Sequence, residues 1–145
     1  SRPALLFRSK VRDVNEFLAE VGLRTEELHE VKASVTYHEP CHLCHAQNVS
    51  AQPRQLIRSI PGVEFREMKE SSWCCGSAAT WGLKFSEESQ QVLDRKLANV
   101  AATDADYLVT TNPGCHLQLA WGLKQAGMPQ PVIHLMELLG RATPD

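Results

Sequence analysis

From residue 34 onward, short β-prone runs alternate with stretches whose apolar residues recur at helical spacing. That alternation constrains the fold more than any other feature. Strands separated by helices pair in parallel, because a parallel neighbour is reached only through a crossover of a dozen or more residues. The β-prone runs are 34–38, 63–68, 107–111 and 131–134. Between the first two, Leu56, Ile57 and Ile60 mark a helix that begins near Pro53 and ends at Pro61-Gly62. Val92, Leu93, Leu97, Val100 and Ala101 form the buried stripe of a helix capped by Ser86, with Glu87 and Glu88 in its first turn. Asn112-Pro113-Gly114 turns the chain into a helix over about 115–126, and residues 135–139 open a last one. Ahead of the core, Val11, Val14, Phe17, Leu18 and Val21 share a helical face that Gly22 closes, and polar residues 23–33 form a connection.

The expected fold is α/β: three layers, with a mostly parallel sheet of about four strands and helices on both faces. The 145 residues are expected to form a single domain, an N-terminal helical segment and connection (1–33) followed by an α/β core (34–145). The net charge of −2 leaves no basic surplus for phosphates, so nucleic acid is not an expected partner. The apolar runs fall far short of the ~20 residues that a membrane-spanning helix needs. No export signal opens the chain, and a cytoplasmic location is expected. The first residue is Ser1, as expected of a processed product or an excised fragment.

The five cysteines, at 41, 44, 74, 75 and 115, are the informative residues. An odd count without an export signal argues against a disulfide framework. Each cysteine follows a predicted strand, and sites in open α/β sheets form at the carboxyl ends of the strands. Five histidines, His38, His42, His45, His116 and His134, lie near the same ends and are placed to donate hydrogen bonds to metal-bound sulfur. The backbone amides after Pro40 and Gly114 are expected to face the same crevice. Trp73 and Trp81 flank the cysteine pair as shields. Glu26, Glu27, Glu30 and the charges over 64–70 read as solvated faces.

Several chemistries use such thiols. A structural zinc site usually shows two close pairs, whereas this chain has one C-x-x-C, one adjacent pair and one single cysteine. Adjacent cysteines in extended backbone point to opposite sides, which a multi-iron cluster accepts because each sulfur can bind a different iron. Gly76 permits a turn that brings them together. Cys41-His42-Leu43-Cys44-His45 also spells a haem-attachment motif, and its C-x-x-C can be read as a redox dithiol. Either reading leaves the other three cysteines unexplained. No Ser-His-Asp signature or phosphate-binding glycine loop stands out.

The joint pattern resembles the cysteine-rich CCG domain family. Cys41 is followed after 32 residues by Cys74-Cys75-Gly76, and after 39 more by Cys115. The phrases Tyr37-His38-Glu39-Pro40-Cys41-His42-Leu43, Cys74-Cys75-Gly76-Ser77-Ala78 and Asn112-Pro113-Gly114-Cys115 are most similar to the second CCG repeat of glycolate-oxidase-type iron–sulfur subunits. Lactate-utilisation and heterodisulfide reductase proteins are more distant in pattern. The resemblance implies an iron–sulfur cluster, 4Fe-4S in the simplest case, on Cys41, Cys74, Cys75 and Cys115, with zinc as the alternative metal. Gln118 stands where the family's last cysteine falls, and Cys44 is an extra cysteine and candidate fifth ligand. The resemblance further implies a fragment of a longer, non-catalytic electron-transfer subunit in a 2-hydroxy-acid dehydrogenase. An FAD-containing flavoprotein is then its partner, and a membrane electron acceptor is a candidate peripheral contact. The alternatives are a zinc-dependent assembly domain and a thiol–disulfide subunit like heterodisulfide reductase.

Overall fold

The computed structural model describes residues 2–78 and 84–144. Its centre is a parallel sheet of β1 (Ala33–Tyr37), β2 (Val63–Phe65), β3 (Tyr107–Thr110) and β4 (Val132–His134), in the order β2-β1-β3-β4. Val35 pairs with Phe65 on one side and Tyr107 on the other, and Leu108 pairs with Val132. Helices α3 (Ala51–Arg58), α4 (Ser86–Ala101), α5 (Pro113–Gln125) and α6 (Leu135–Ala142) cover the sheet, and α1 (Arg2–Lys10) and α2 (Val14–Val21) precede it.

Side chains alternate across each strand, so two cores form. Val35, Tyr37, Val109 and Ile133 pack on one face against Leu56 and Ile57 of α3 and Leu135, Leu138 and Leu139 of α6. Leu108 and Val132 pack on the other against Leu93, Leu97 and Val100 of α4 and Leu119 and Leu123 of α5. Each fully buried aliphatic side chain contributes about 1.5–3 kcal/mol. The expected three-layer α/β architecture is what the chain adopts.

The boundaries differ in instructive ways. The second strand stops at Phe65; the Arg66 amide still donates to the Val35 carbonyl at 2.8 Å, and its side chain turns back to Glu64 and to the carbonyl of Thr103. The last helix runs on to Ala142, buried against the first core. Phe85, not Ser86, holds the cap position of α4, and Ala101 is exposed on its last turn. Ser89 and Lys96 point inward instead. In α2, Gly22 closes the helix on the Leu18 carbonyl at 2.9 Å as expected, and Asp13 caps its start. Val11, Val14, Phe17 and Val21, however, are exposed. The face that meets the core carries Leu18 and Ala19, because α2 packs on α3 along that line.

The topology positions the site. The helix after β1 lies on one face and the helix after β3 on the other, so the chain leaves two neighbouring strands in opposite directions. A crevice opens at their carboxyl ends, as in other open α/β sheets.

Candidate metal centre

The crevice is a cavity of about 470 Å³, with Cys41, Cys74, Cys75 and Cys115 in its lining beside His38 and His42. Three segments supply them.

The first follows β1. After Pro40 the chain makes a π-helical turn, His42–Ala46, anchored by buried Leu43. The amides of Leu43 and Cys44 donate to the Pro40 carbonyl at 3.0 and 3.1 Å. Cys41 sits exposed on the rim, while Cys44 is half-buried and not part of the lining. In an α-helical turn, residues three apart share a face; in this wider turn Cys44 falls outside the lining that holds Cys41.

The second segment is the loop from β2 to Gly76. Its route is held by Arg54 of α3, which donates to Glu67 at 2.8 and 2.9 Å, to Ser71 Oγ at 2.7 Å and to Glu39 at 3.1 Å. The Glu39 amide in turn donates to the Ser71 carbonyl at 3.0 Å. One guanidinium thus ties the loop after β1 to the loop after β2. At the end of this loop Gly76 has φ +86°, and a Cβ there would lie 2.5 Å from the Ser89 carbonyl oxygen of α4. Ser89 Oγ donates to the Gly76 carbonyl at 2.8 Å, and the Gly76 amide donates to Cys74 Sγ at 3.3 Å. Only glycine fits this turn, which brings two adjacent cysteines to one cavity.

The third segment opens α5. Asn112 Oδ1 accepts from the Cys115 amide at 2.9 Å, and Pro113 takes the first helical position. The cap places Cys115, buried, against the cavity. The Asn112 carbonyl accepts from the His116 amide at 2.9 Å. The amides of Leu43, Cys44, Cys115 and His116 are therefore taken up in local turns rather than presented to the crevice.

Side-chain chemistry narrows what the cavity can hold. Hydrogen bonding to Cys115 and burial push the Cys75 thiol up to about 11, with Cys74 acting in the opposite direction. The neighbouring Cys75 and burial raise Cys74 as well, and burial raises Cys44. A redox dithiol needs a lowered thiol pKa. A bound metal, by contrast, deprotonates its thiol ligands outright. His38 is 1% exposed, and neither ring nitrogen has a hydrogen-bond partner. Burial, and then the charge of Lys96, lower its pKa to about 3, so the imidazole is neutral. A buried polar group left without a partner costs about 1–3 kcal/mol. Donor atoms of His38, Cys75 and Cys115 all lie within 4.8 Å of one another. The orphaned imidazole and the cluster of free thiols fit a group bound through sulfur.

The other expected residues are elsewhere. His45 is exposed on the π-helical turn, and His134 Nδ1 accepts from the Met136 amide to cap α6. Trp73 is outside the lining and lies under the Arg95 guanidinium at 4.1 Å, and Trp81 is outside the described residues. Glu64, Glu67 and Lys69 are exposed, as expected of a solvated face, and Glu64 pairs with Arg66, Glu67 with Arg54 and Glu70 with Arg95.

A family model of the CCG cysteine-rich domain matches residues 35–120, more than half of the chain. The chain belongs to this family. The CCG domain is 40% identical over 142 residues to a probable glycolate oxidase iron-sulfur subunit of Bacillus subtilis, covering 96% of this chain and 32% of that protein. It is 30% identical over 138 residues to lactate utilization protein A of Oceanobacillus iheyensis, covering 95% and 57%. It is also 34% identical over 136 residues to a fumarate reductase (CoM/CoB) subunit of Methanothermobacter marburgensis, covering 93% and 28%. The domain spans only 28–57% of the length of these proteins. Among the described residues no helix is long and apolar enough to cross a membrane.

Proposed function

We propose that this CCG domain holds an iron–sulfur cluster, 4Fe-4S in form, and relays electrons within a longer cytoplasmic subunit of a 2-hydroxy-acid dehydrogenase complex. The observation that carries the reading is the convergence of Cys41, Cys74, Cys75 and Cys115 on one cavity at the β1/β3 crevice. Those four thiols are the proposed ligands. The adjacency of Cys74 and Cys75 favours several irons over a single zinc ion. The cluster supplies one-electron carriage, and the names of the B. subtilis and O. iheyensis relatives supply the context of glycolate and lactate use. An FAD-containing flavoprotein is the proposed electron donor, because no flavin or hydride site stands out among the described residues.

The domain's residues then have defined tasks. Gly76 shapes the turn that presents both sulfurs of the pair. The Asn112 cap fixes Cys115. His38, neutral and unpartnered, offers one N–H to a sulfur at the cavity wall. Cys41, on the exposed rim, marks the side from which a partner approaches.

The test is anaerobic reconstitution of the protein with ferrous iron and sulfide, followed by iron and acid-labile sulfide analysis. Iron and sulfide in equal amounts, with a visible band that dithionite bleaches, are expected, and Cys75→Ser abolishes both. Binding of zinc alone, or glycolate oxidation by the domain without a partner, overturns the reading.

A further inference from the structure

The buried stripe of α4 contains a lysine. Lys96 is 0% exposed, inward beside Leu93, Leu97 and Val100. Its Nζ donates to the Glu70 carbonyl at 2.6 Å and the Ser71 carbonyl at 3.0 Å, and lies 3.8 Å from Met68 Sδ. No ion pair among the described residues includes it. The carboxylate of Glu70 bonds Arg95 and Asn99 instead. A buried ammonium without a carboxylate is costly, and two carbonyl dipoles only partly offset the lost hydration.

Its stripe neighbours Leu93, Leu97 and Val100 pack in one core with Cys75 and Cys115, and the two carbonyls that hold its ammonium lie in the loop that carries Cys74 and Cys75. Cys74, Cys75 and Cys115 are thiols of the cavity lining. As neutral thiols they offer little. As thiolates around a cluster they form an anionic body, and one that gains a further negative charge on reduction.

Building on the electron-relay reading, we propose that Lys96 is the built-in counter-charge of the cluster. Its fixed positive charge, clamped to the Met68–Ser71 stretch of the cysteine loop, raises the reduction potential and favours retention of the cluster. Burial lowers its pKa to about 8, and negative charge on Cys75, Glu70, Cys74 and Cys115 opposes that shift. Lys96 acts on the cluster through space and through the loop, so it is a positioning residue. Net charge near a cluster is one of the established determinants of its potential.

Three variants separate charge from shape. Lys96→Arg keeps the charge, Lys96→Gln keeps a donor for the carbonyls without charge, and Lys96→Met removes both. Each is reconstituted as the full chain beside wild type, and potentials are read by redox titration of the visible band. The expected result is a potential near wild type for Lys96→Arg and a more negative one for both Lys96→Gln and Lys96→Met, with faster iron loss to a chelator. Neutral variants that stay folded by circular dichroism yet take up no cluster, while Lys96→Arg does, support the same conclusion. A wild-type potential in Lys96→Gln, failure of Lys96→Arg to load, or unfolding of the metal-free neutral variants overturns it, because the lysine is then only a loop clamp. Wild-type protein that binds no iron and sulfide defeats the electron-relay reading and this inference with it. Normal loading of wild type and Lys96→Gln at one shared potential defeats this inference alone.

Discussion

The two faces of the sheet are built to different ends. The fully buried part of the face under α3 and α6 is aliphatic apart from Tyr37, with Leu135, Leu138 and Ala142 at 0% exposure and Phe65, Tyr107 and Met136 packed at its margin. The face under α4 and α5 contains Cys75, Cys115 and Met68 among its leucines, and Lys96 is buried there too. One face is held mainly by apolar packing. The other spends part of its interior on groups that cost stability until something occupies the cavity. The difference teaches that in this fold stability and chemistry are divided by the pleat of four short strands.

Substitutions on the two faces therefore have separable effects. Leu138→Ala, on the aliphatic face, carries the largest expected loss, about 2–5 kcal/mol of stability in urea unfolding of the metal-free protein. Iron bound per folded molecule should not change. A fall in iron equal to that of a cavity variant would break the division between the faces.

Gly76→Ala comes next. Its Cβ would meet a backbone oxygen at 2.5 Å in a positive-φ turn, for an expected cost of about 1–3 kcal/mol. Here iron uptake should fall out of proportion to stability, because the turn that aims Cys74 and Cys75 is lost. Uptake at the wild-type level in this variant would show that the loop re-forms around the metal.

Cys44→Ser sharpens the site boundary. Cys44 is not in the cavity lining, so the variant should stay within about 0.5 kcal/mol of wild type in stability. It should retain more iron after reconstitution than Cys41→Ser. Equal loss in the two would make Cys44 the replacement for the cysteine absent at position 118.

The smallest effect is an acid one. Hydrogen bonds from Arg95 and then Asn99 hold the Glu70 carboxyl down at about 2. The native state thus binds fewer protons here than the unfolded chain, and this contribution is full above about pH 4.5 and lost as pH falls toward 2. The pair is exposed and worth little. Glu70→Gln should slightly flatten the decline of the melting temperature over that interval, and an unchanged slope would show that the pair contributes nothing.

Much of this was legible along the chain. The four strands, Gly22 as a helix stop, and the cysteines at the strand ends can be read locally, because hydrophobic period, glycine conformation and proline geometry act over a few residues. The N-terminal segment was less legible. Val14, Phe17, Leu18 and Val21 follow the helical period, but a period reports only that a face exists: of these Leu18 meets the core, joined by Ala19, and the others are exposed. Trp73 likewise reads as a cavity shield, yet the Arg95 guanidinium of α4 takes it away.

Sequence alone determined the α/β class, the strand-end placement of the thiols and the need for glycine beside the adjacent cysteines, since all three follow from backbone preferences of neighbouring residues. Only the tertiary structure decided that Arg54 clamps two loops, that His38 is left without a partner and that Lys96 is buried against the cysteine loop. Each of these depends on what lies across space. A lysine on an otherwise apolar helical stripe becomes a buried charge only when the strand order β2-β1-β3-β4 brings the cysteine loop over that stripe and closes off the water.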